Sequence, residues 1–472
     1  MRSPRLHALG VLLCLAAACA EGPKYRELSR EKIRDRIAGA WVGQMAGVSW
    51  AAILEFWYLG AIIPDDRVVA WTPALLDTAF VQDDLYVEIP FLEVLHRQKA
   101  ATRVEDFAAA FAATDYALWH ANEAGRNNLR AGLGPFEAGH YRNNRHADDI
   151  DWQIEADFAG IVSPGLPQSA LDIAWRAGHL MNHGDGVYGG AWVAAMHARA
   201  FVARDLEEII EAGREAIPSQ SQFRQVLDDV IAWSRENPGD WTRVWQLLED
   251  KWAGTDRCPH GAGSPYNIDA KLNAAYVLIG LLYGGGDFER SMRIAMRCGQ
   301  DCDCNASTVG SILGNWVGFS DIPESFRAPI DPNATFSHTG VTLGQALEMS
   351  EHIAAAVVEA AGGESNGEVW RIPVQSGARL ILEQWLDEDP PPPTLEAHLE
   401  SIHGTTVALR AEAGPATGRG PVEVQWNFGD FEMAIGERAE HTYRRGGTYQ
   451  VVCTAADAFG TSAVRTIDVT VP

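Results

Sequence analysis

Positive charge is scarce in this chain. Against 63 Asp and Glu stand 38 Lys and Arg, a formal net charge of −25 over 472 residues. So acidic a surface repels phosphate backbones, which excludes nucleic acid as a partner held on a broad basic face. Long apolar runs are missing too, none reaching the roughly 20 residues of a membrane span. Cysteine is sparse: seven in all, with Cys14 and Cys19 near the start and Cys298, Cys302 and Cys304 crowded together. The five beyond the start, an odd number so spaced, do not make a disulfide scaffold. Strand-like alternation is nearly absent before residue 350. A hydrophobic share of 47% is ordinary for a protein with buried cores.

What is present begins with a leader. Arg2 and Arg5 precede an apolar stretch over 6–18, and small residues follow at 16–20. This is signal-peptide grammar over residues 1–20. Two cleavages fit: after Ala18-Cys19-Ala20, or before Cys19 as in a bacterial lipoprotein. Either implies an extracytoplasmic protein, whether secreted, periplasmic or lipid-anchored. Membrane contact is then expected only through a lipid on Cys19.

Residues 26–375 read as one helical domain. Ile33, Ile37, Ala40, Trp41, Met45 and Val48 recur at intervals of mostly three and four, which places an apolar stripe on one helical face. Similar stripes cover 170–201, 272–283 and 306–317, with Gly- and Asn-rich loops over 125–145 and 254–267. Residues 376–394 contain Pro390 to Pro393 and are expected to form an extended linker. Over 395–472 the period changes to two, as in Val422, Val424, Trp426 and Phe428. Short strands with Gly-containing turns predict a β-sandwich there.

Two acidic pairs stand out, Asp83-Asp84 after Gln82 and Asp301-Cys302-Asp303 before Cys304-Asn305. Each opens a helical stripe, the first interrupted by Pro90. Carboxylates at loop-to-helix junctions can converge on a hard divalent cation, although one Asp at a helix start also serves as a cap. Spacing alone leaves both readings open. Cys298, Cys302 and Cys304, with Cys258 or His260, are a weaker zinc-cluster candidate, since the spacing matches no common finger. Asp148, Asp149 and Asp151 read as a solvated loop face in so acidic a chain. Trp41 and Trp316 lie on core stripes, whereas Trp50, Trp57 and Trp152 are candidates to stack on a sugar or base.

In order, 33–56, Asp83–Glu88, His183-Gly184-Asp185-Gly186 and 299–314 resemble the motifs of the ADP-ribosylglycohydrolase family. The resemblance covers roughly residues 26–350. It implies an all-α domain holding two divalent cations, Mg²⁺ first and Mn²⁺ or Zn²⁺ as alternatives. Carried over by position, Asp83, Asp84, Asp301 and Asp303 are metal ligands, and Gln82 and Cys304 are further metal-site candidates. Glu55 matches a glutamate on a gating loop and, with Asp83 and Asp303, is a catalytic candidate. His183, Asp185 and Asn305 are substrate-binding candidates, and Gly299 matches the glycine before the C-terminal acids. The chain departs from the pattern at Gln82, Cys304, Val48 and Glu155-Ala156-Asp157-Phe158. Cys304 opens the metal identity, because a thiolate favours Zn²⁺ over Mg²⁺.

The tail resembles a PKD repeat, an immunoglobulin-like sandwich, through Trp426-Asn427-Phe428-Gly429-Asp430, His441-Thr442-Tyr443 and Gly447-Thr448-Tyr449. Asn427 and Phe431 replace the usual Asp and Gly. The tail is expected to act as a spacer or as a contact to an extracellular polymer. Together the resemblances imply an exported hydrolase that cleaves a glycosidic bond at a ribose anomeric carbon. ADP-ribosyl compounds or other sugars are the expected substrates, with Arg126, Arg130, Arg142 and Arg145 available to meet a pyrophosphate. An extracellular glycoside or nucleoside hydrolase on the same fold, and a non-catalytic sugar-binding protein, are the alternatives.

Overall fold

The computed structural model describes residues 25–261, 266–328, 330–375, 378–387 and 390–472. The leader over 1–20, with Cys19, and parts of the linker lie outside the described residues. The chain is a helical domain followed by an all-β sandwich. The strand Tyr25–Ser29 pairs antiparallel with Val369–Pro373, so the two ends of the helical domain close on each other.

Helix α1 (Arg30–Ala51) starts where the Ser29 hydroxyl accepts the Lys32 N–H at 3.1 Å. The helix opened by the first acidic pair, α2 (Asp83–Tyr86), is a single turn, and a fresh helix begins at Ile89 with Pro90 in its first turn. Helix α3 (Cys302–Val317) is buried over most of its length and lies antiparallel against α1. Three matched pairs hold these two backbones together. A Cβ on Gly39 would sit 2.1 Å from the Gly314 carbonyl oxygen, one on Gly43 2.0 Å from that of Gly310, and one on Gly47 2.2 Å from that of Ala306. The four-residue spacing keeps the small residues on one face of each helix. Helix and extension over 30–54 are long and apolar enough to cross a membrane by composition, contrary to the reading of the sequence. That window is 78% buried, however, because α1 is the core helix.

Other expectations change in detail. Within the expected loop 125–145, residues up to 130 continue a helix, His120–Arg130, whose Ala121, Asn122, Gly125 and Arg126 are buried. The expected stripe over 170–201 is two helices, Pro167–Gly178 and Asp185–Ala200, broken where Gly184 takes a φ of +57°. Trp50 and Trp152 are core residues, and only Trp57 of the three stacking candidates is exposed, at 77%.

Among the described residues the sandwich has two antiparallel sheets, of three and four strands, around Leu409, Trp426, Tyr443, Val451 and Cys453. It is not held off on a free spacer. Leu380, Ile381 and Glu383 of the expected linker are buried, and Glu383 pairs with His179 at 3.0 Å inside the helical domain. Both departures from the PKD pattern face this junction. Asn427 donates to the buried carboxylate of Asp172 at 2.9 Å, while Arg176 holds the other oxygen of Asp172. Phe431, at φ +71°, packs into the helical core where a glycine would leave a gap.

Two measurements check this packing. Gly43→Ala should cost about 2–3 kcal/mol or more, since the added methyl meets backbone and not a movable side chain. Gly254→Ala, where a Cβ meets nothing within 4 Å, should stay within about 0.5 kcal/mol in the same denaturant titration. Asn427→Asp sets two carboxylates against each other and should cost about 2–3 kcal/mol. Unchanged protease resistance of the junction in that variant would contradict the docked arrangement.

Candidate active site

The antiparallel contact of α1 and α3 puts the C-terminal end of one beside the N-terminal end of the other. The chain leaves α1 through a tight turn at Ala52–Leu54 and reaches Glu55. Just before α3, Gly299 takes φ +84°, and a Cβ there would meet the carbonyl oxygens of Tyr58 and Ala61 at 2.6 and 2.7 Å. Gln300 then exchanges backbone hydrogen bonds with the Glu55 loop: Phe56 N–H to Gln300 O at 3.1 Å, and Gln300 N–H to Tyr58 O at 2.9 Å. Glycine is required at 299 because both its backbone angle and the space exclude a side chain.

Asp301 precedes α3 and Asp303 lies in its first turn. The Cys304 thiol donates to Asp84 Oδ2 at 3.3 Å, joining two acidic pairs 220 positions apart. Acceptor atoms of Asp301 and Asp303 and the Cys304 sulfur lie within 4.8 Å of one another. Asp84, Asp301 and Asp303 are buried, Asp83 is half-buried, and Gln44 supports the Asp84 backbone carbonyl at 3.3 Å. Among the described residues, none of these four aspartates or Glu55 forms an ion pair with a lysine or arginine. Three carboxylate oxygens, one each on Asp84, Asp301 and Asp303, are buried without a hydrogen-bond partner.

Burial and mutual repulsion raise the whole group. Burial, then Asp303 and Asp83, push Glu55 from its ordinary 4.5 to about 8. Burial, then Asp84, push Asp303 to about 7. Asp84 and Asp301 are raised well above the usual carboxylate range, again mainly by burial. A set of orphaned, uncompensated oxygens from three aspartates, with Asp83 beside them, is what a hard divalent cation satisfies. Burial also raises the Cys304 thiol, so it serves here as a neutral donor to Asp84. A thiol used in this way leaves an oxygen donor set and removes the main argument for Zn²⁺ at this site.

The remaining candidates are spread around this centre. Gln82 is half-buried and precedes α2 without a side-chain cap bond. Asn305 is buried and donates to Asn273 at 2.9 Å, leaving its own Oδ1 unpartnered. His183 is enclosed by His140, Tyr141 and His179, with Glu383 among the charges acting on it, and so sits under the inter-domain segment. Asp185 is buried, accepts the Phe223 N–H at 3.2 Å and faces Lys271. Arg126 and Arg130 are engaged with carbonyls at 112–116, while Arg145 is exposed. The thiols do not form the cluster weighed above: Cys298 bonds to Ile294 O and Cys302 to Ala51 O, and all five described cysteines are free.

The clearest correction concerns Asp148, Asp149 and Asp151, which are buried and not a solvated face. Asp151 and Glu155 adjoin the acidic centre: each has a raised carboxyl, owed first to burial, with Asp83 among the contributing charges. Their signal in the sequence was the interleaving of these acids with Ile150, Trp152, Ile154 and Phe158, an apolar stripe that overall acidity masked. A wide cleft of about 1140 Å³ lies elsewhere, lined by paired charges such as Arg199, Arg204 and Glu208. It carries no comparable chemistry.

Residues 29–363 match the family model described as ADP-ribosylglycohydrolase, and residues 388–471 match that of the PKD domain. Among solved structures the chain is similar to an ADP-ribosylglycohydrolase-related protein complex, at 15% identity and a TM-score of 0.45, over 69% of this chain and 98% of that one. The tail is similar to the PKD1 domain of the Vibrio cholerae metalloprotease PrtV, at 21% identity and a TM-score of 0.16, over 17% of this chain and 98% of that one. It is likewise similar to the PKD1 domain of Vibrio anguillarum Epp, at 25% and 0.16, over 18% and 100%. No curated protein matches the chain.

The raised carboxyl of Glu55 has a measurable consequence. Between its ordinary 4.5 and about 8 the folded chain holds a proton that the unfolded chain releases. Stability supplied by that proton is complete below the lower value and is lost as pH rises through the upper one. The melting temperature of EDTA-treated protein should therefore fall from about pH 5 to about pH 8. Glu55→Gln should flatten the fall, and added Mg²⁺ should reverse it. A melting curve equally steep in pH for both proteins would refute the assignment.

Proposed function

This chain belongs to the ADP-ribosylglycohydrolase family, and from that premise we propose that it is a metal-dependent glycohydrolase acting at the anomeric carbon of a ribose. The family is metal-dependent in general, and Asp83, Asp84, Asp301 and Asp303 are the residues that would hold its cations. A bound divalent cation supplies charge that grips vicinal hydroxyls and lowers the pKa of a water. The observation that carries the reading is the Cys304–Asp84 bond, which gathers both acidic pairs around three orphaned oxygens.

The protein's own groups divide the remaining work. Glu55, half-buried on its loop, accepts a proton from the attacking water at a carboxylate oxygen. The bond from C1 to the leaving group breaks as the water oxygen bonds to C1, and the proton passes on to the leaving group. The carboxylates around the site favour the positive charge that develops on the sugar ring. Trp57, exposed two residues beyond Glu55, is placed to cover a sugar or base.

The leaving group divides two readings. An ADP-ribosyl substrate brings a pyrophosphate, yet Arg126 and Arg130 are engaged with backbone carbonyls. That observation favours a glycoside or nucleoside without phosphate as the second reading. PKD domains are typical of extracellular proteins, and we place the enzyme outside the cytoplasm, where a sugar-containing polymer is available to the sandwich.

Turnover of ADP-ribosylated protein, free ADP-ribose derivatives and aryl glycosides should be assayed with Mg²⁺, Mn²⁺ and Zn²⁺. Asp303→Asn should lower kcat/KM by about a hundredfold or more, and EDTA should abolish turnover. Cleavage that survives both would end the metal-dependent reading. Binding without turnover of any of these compounds would favour the sugar-binding alternative.

A further inference from the structure

Behind Ile150 lies a second group of acids that the proposed reaction does not use. Its neighbours fall into two sets. Lys271 pairs with Asp269, its ammonium also acting on Asp148 and Asp185. Asp149 and Asp256 form no ion pair with a lysine or arginine among the described residues, although the Lys271 ammonium also acts on Asp256 from a distance.

Asp149 is completely buried; one oxygen lies 2.7 Å from His146 Nδ1, the Cys258 thiol hydrogen-bonds to its carboxylate, and Oδ1 is unpartnered. Asp256 is 7% exposed; its Oδ1 accepts the Cys258 N–H at 2.9 Å and its Oδ2 is unpartnered. A carboxylate oxygen of each and the Cys258 sulfur lie within 4.8 Å of one another. The imidazoles of His146 and His260 are stacked 5.8 Å apart, and Nδ1 of His260 is also buried without a partner. Two carboxylates and one thiol therefore converge where an oxygen of each acid lacks a partner, with the His146 and His260 rings nearby. Orphaned oxygens of this kind are costly in a dry interior unless a cation meets them.

We propose that Asp149, Asp256 and Cys258 form a second cation site, specific for an ion of the Zn²⁺ class and separate from the aspartate centre at α3. The donor set decides the ion: one sulfur with two carboxylates suits Zn²⁺ and disfavours Mg²⁺ or Ca²⁺. Bonds of about 2.0–2.3 Å in a tetrahedron place ligand atoms about 3.5 Å apart, within the spacing observed. A water completes the shell. On binding, the sulfur bonds to the cation and its proton leaves to solvent. The site ties the segment carrying Asp256 and Cys258 to Asp149, next to Ile150, which packs with Cys304 and Phe56 beside the first centre. Its role is to hold that wall in place.

Cobalt replaces zinc in such sites and reports a thiolate ligand by a charge-transfer band in the near ultraviolet. The full chain, stripped with EDTA and titrated with Co²⁺, should show this band. Cys258→Ser should lose it and Cys304→Ser should keep it, which separates this site from the aspartate centre. Asp256→Asn should shift the titration midpoint at least tenfold upward, and it carries the comparison if Cys258→Ser fails to fold by circular dichroism. Absence of the band in the wild-type chain overturns the proposal, as does its persistence in Cys258→Ser or an unmoved midpoint in Asp256→Asn.

Discussion

The close approach of α1 and α3 is the constraint on which the site depends. Two helices with ordinary side chains pack 8–10 Å apart. Here Gly39, Gly43 and Gly47 meet Gly314, Gly310 and Ala306 with no room for a Cβ on either glycine face. Because the pair is antiparallel, this contact sets the Glu55 turn against the Asp301–Asp303 turn. The Gln300 backbone bonds then fix the two segments to each other. A looser interface would separate Glu55 from Asp301 and Asp303 while leaving each helix intact.

The acidic centre is paid for by that rigidity. Repulsion among Asp83, Asp84, Asp301, Asp303 and Glu55 would open a soft site, and partial protonation in the absence of a cation is how the fold tolerates it. Cys304, one of the departures from the family pattern, acts within this scheme as a neutral donor to Asp84. The substitution preserves a hydrogen-bond donor at the position of the usual threonine, so the cluster of carboxylate oxygens survives it. The soft donor that bears on Zn²⁺ is Cys258, some distance along the chain, and not Cys304.

The sandwich and the helical domain share a buried polar junction. Asn427 and Phe431 look like erosion of the PKD pattern when the tail is considered alone. Against Asp172 and the helical core they are the residues the junction requires: an amide donor where a second carboxylate would repel, and a large apolar ring where glycine would leave a void. The Glu383–His179 pair extends this junction into the segment that the prolines suggested was a plain spacer.

Much of the molecule was legible in residue order. Helical periodicity in 33–48, the change to a two-residue period after 420, and the acids at the starts of α2 and α3 are local patterns, and local patterns survive without coordinates. The glycine repeat in α1 and its match in α3 were not read from residue order, because only their pairing gives them meaning. Burial was not legible. Asp148, Asp149 and Asp151 have the composition of a wet loop, and the extended 170–201 stripe hides the break at Gly184. The sequence alone determined which elements form and which oxygen-bearing residues end them, because those depend on neighbours three or four positions away. Only the tertiary structure decided that acids 220 positions apart share one desolvated pocket, because convergence is a property of helix packing and of the water it excludes.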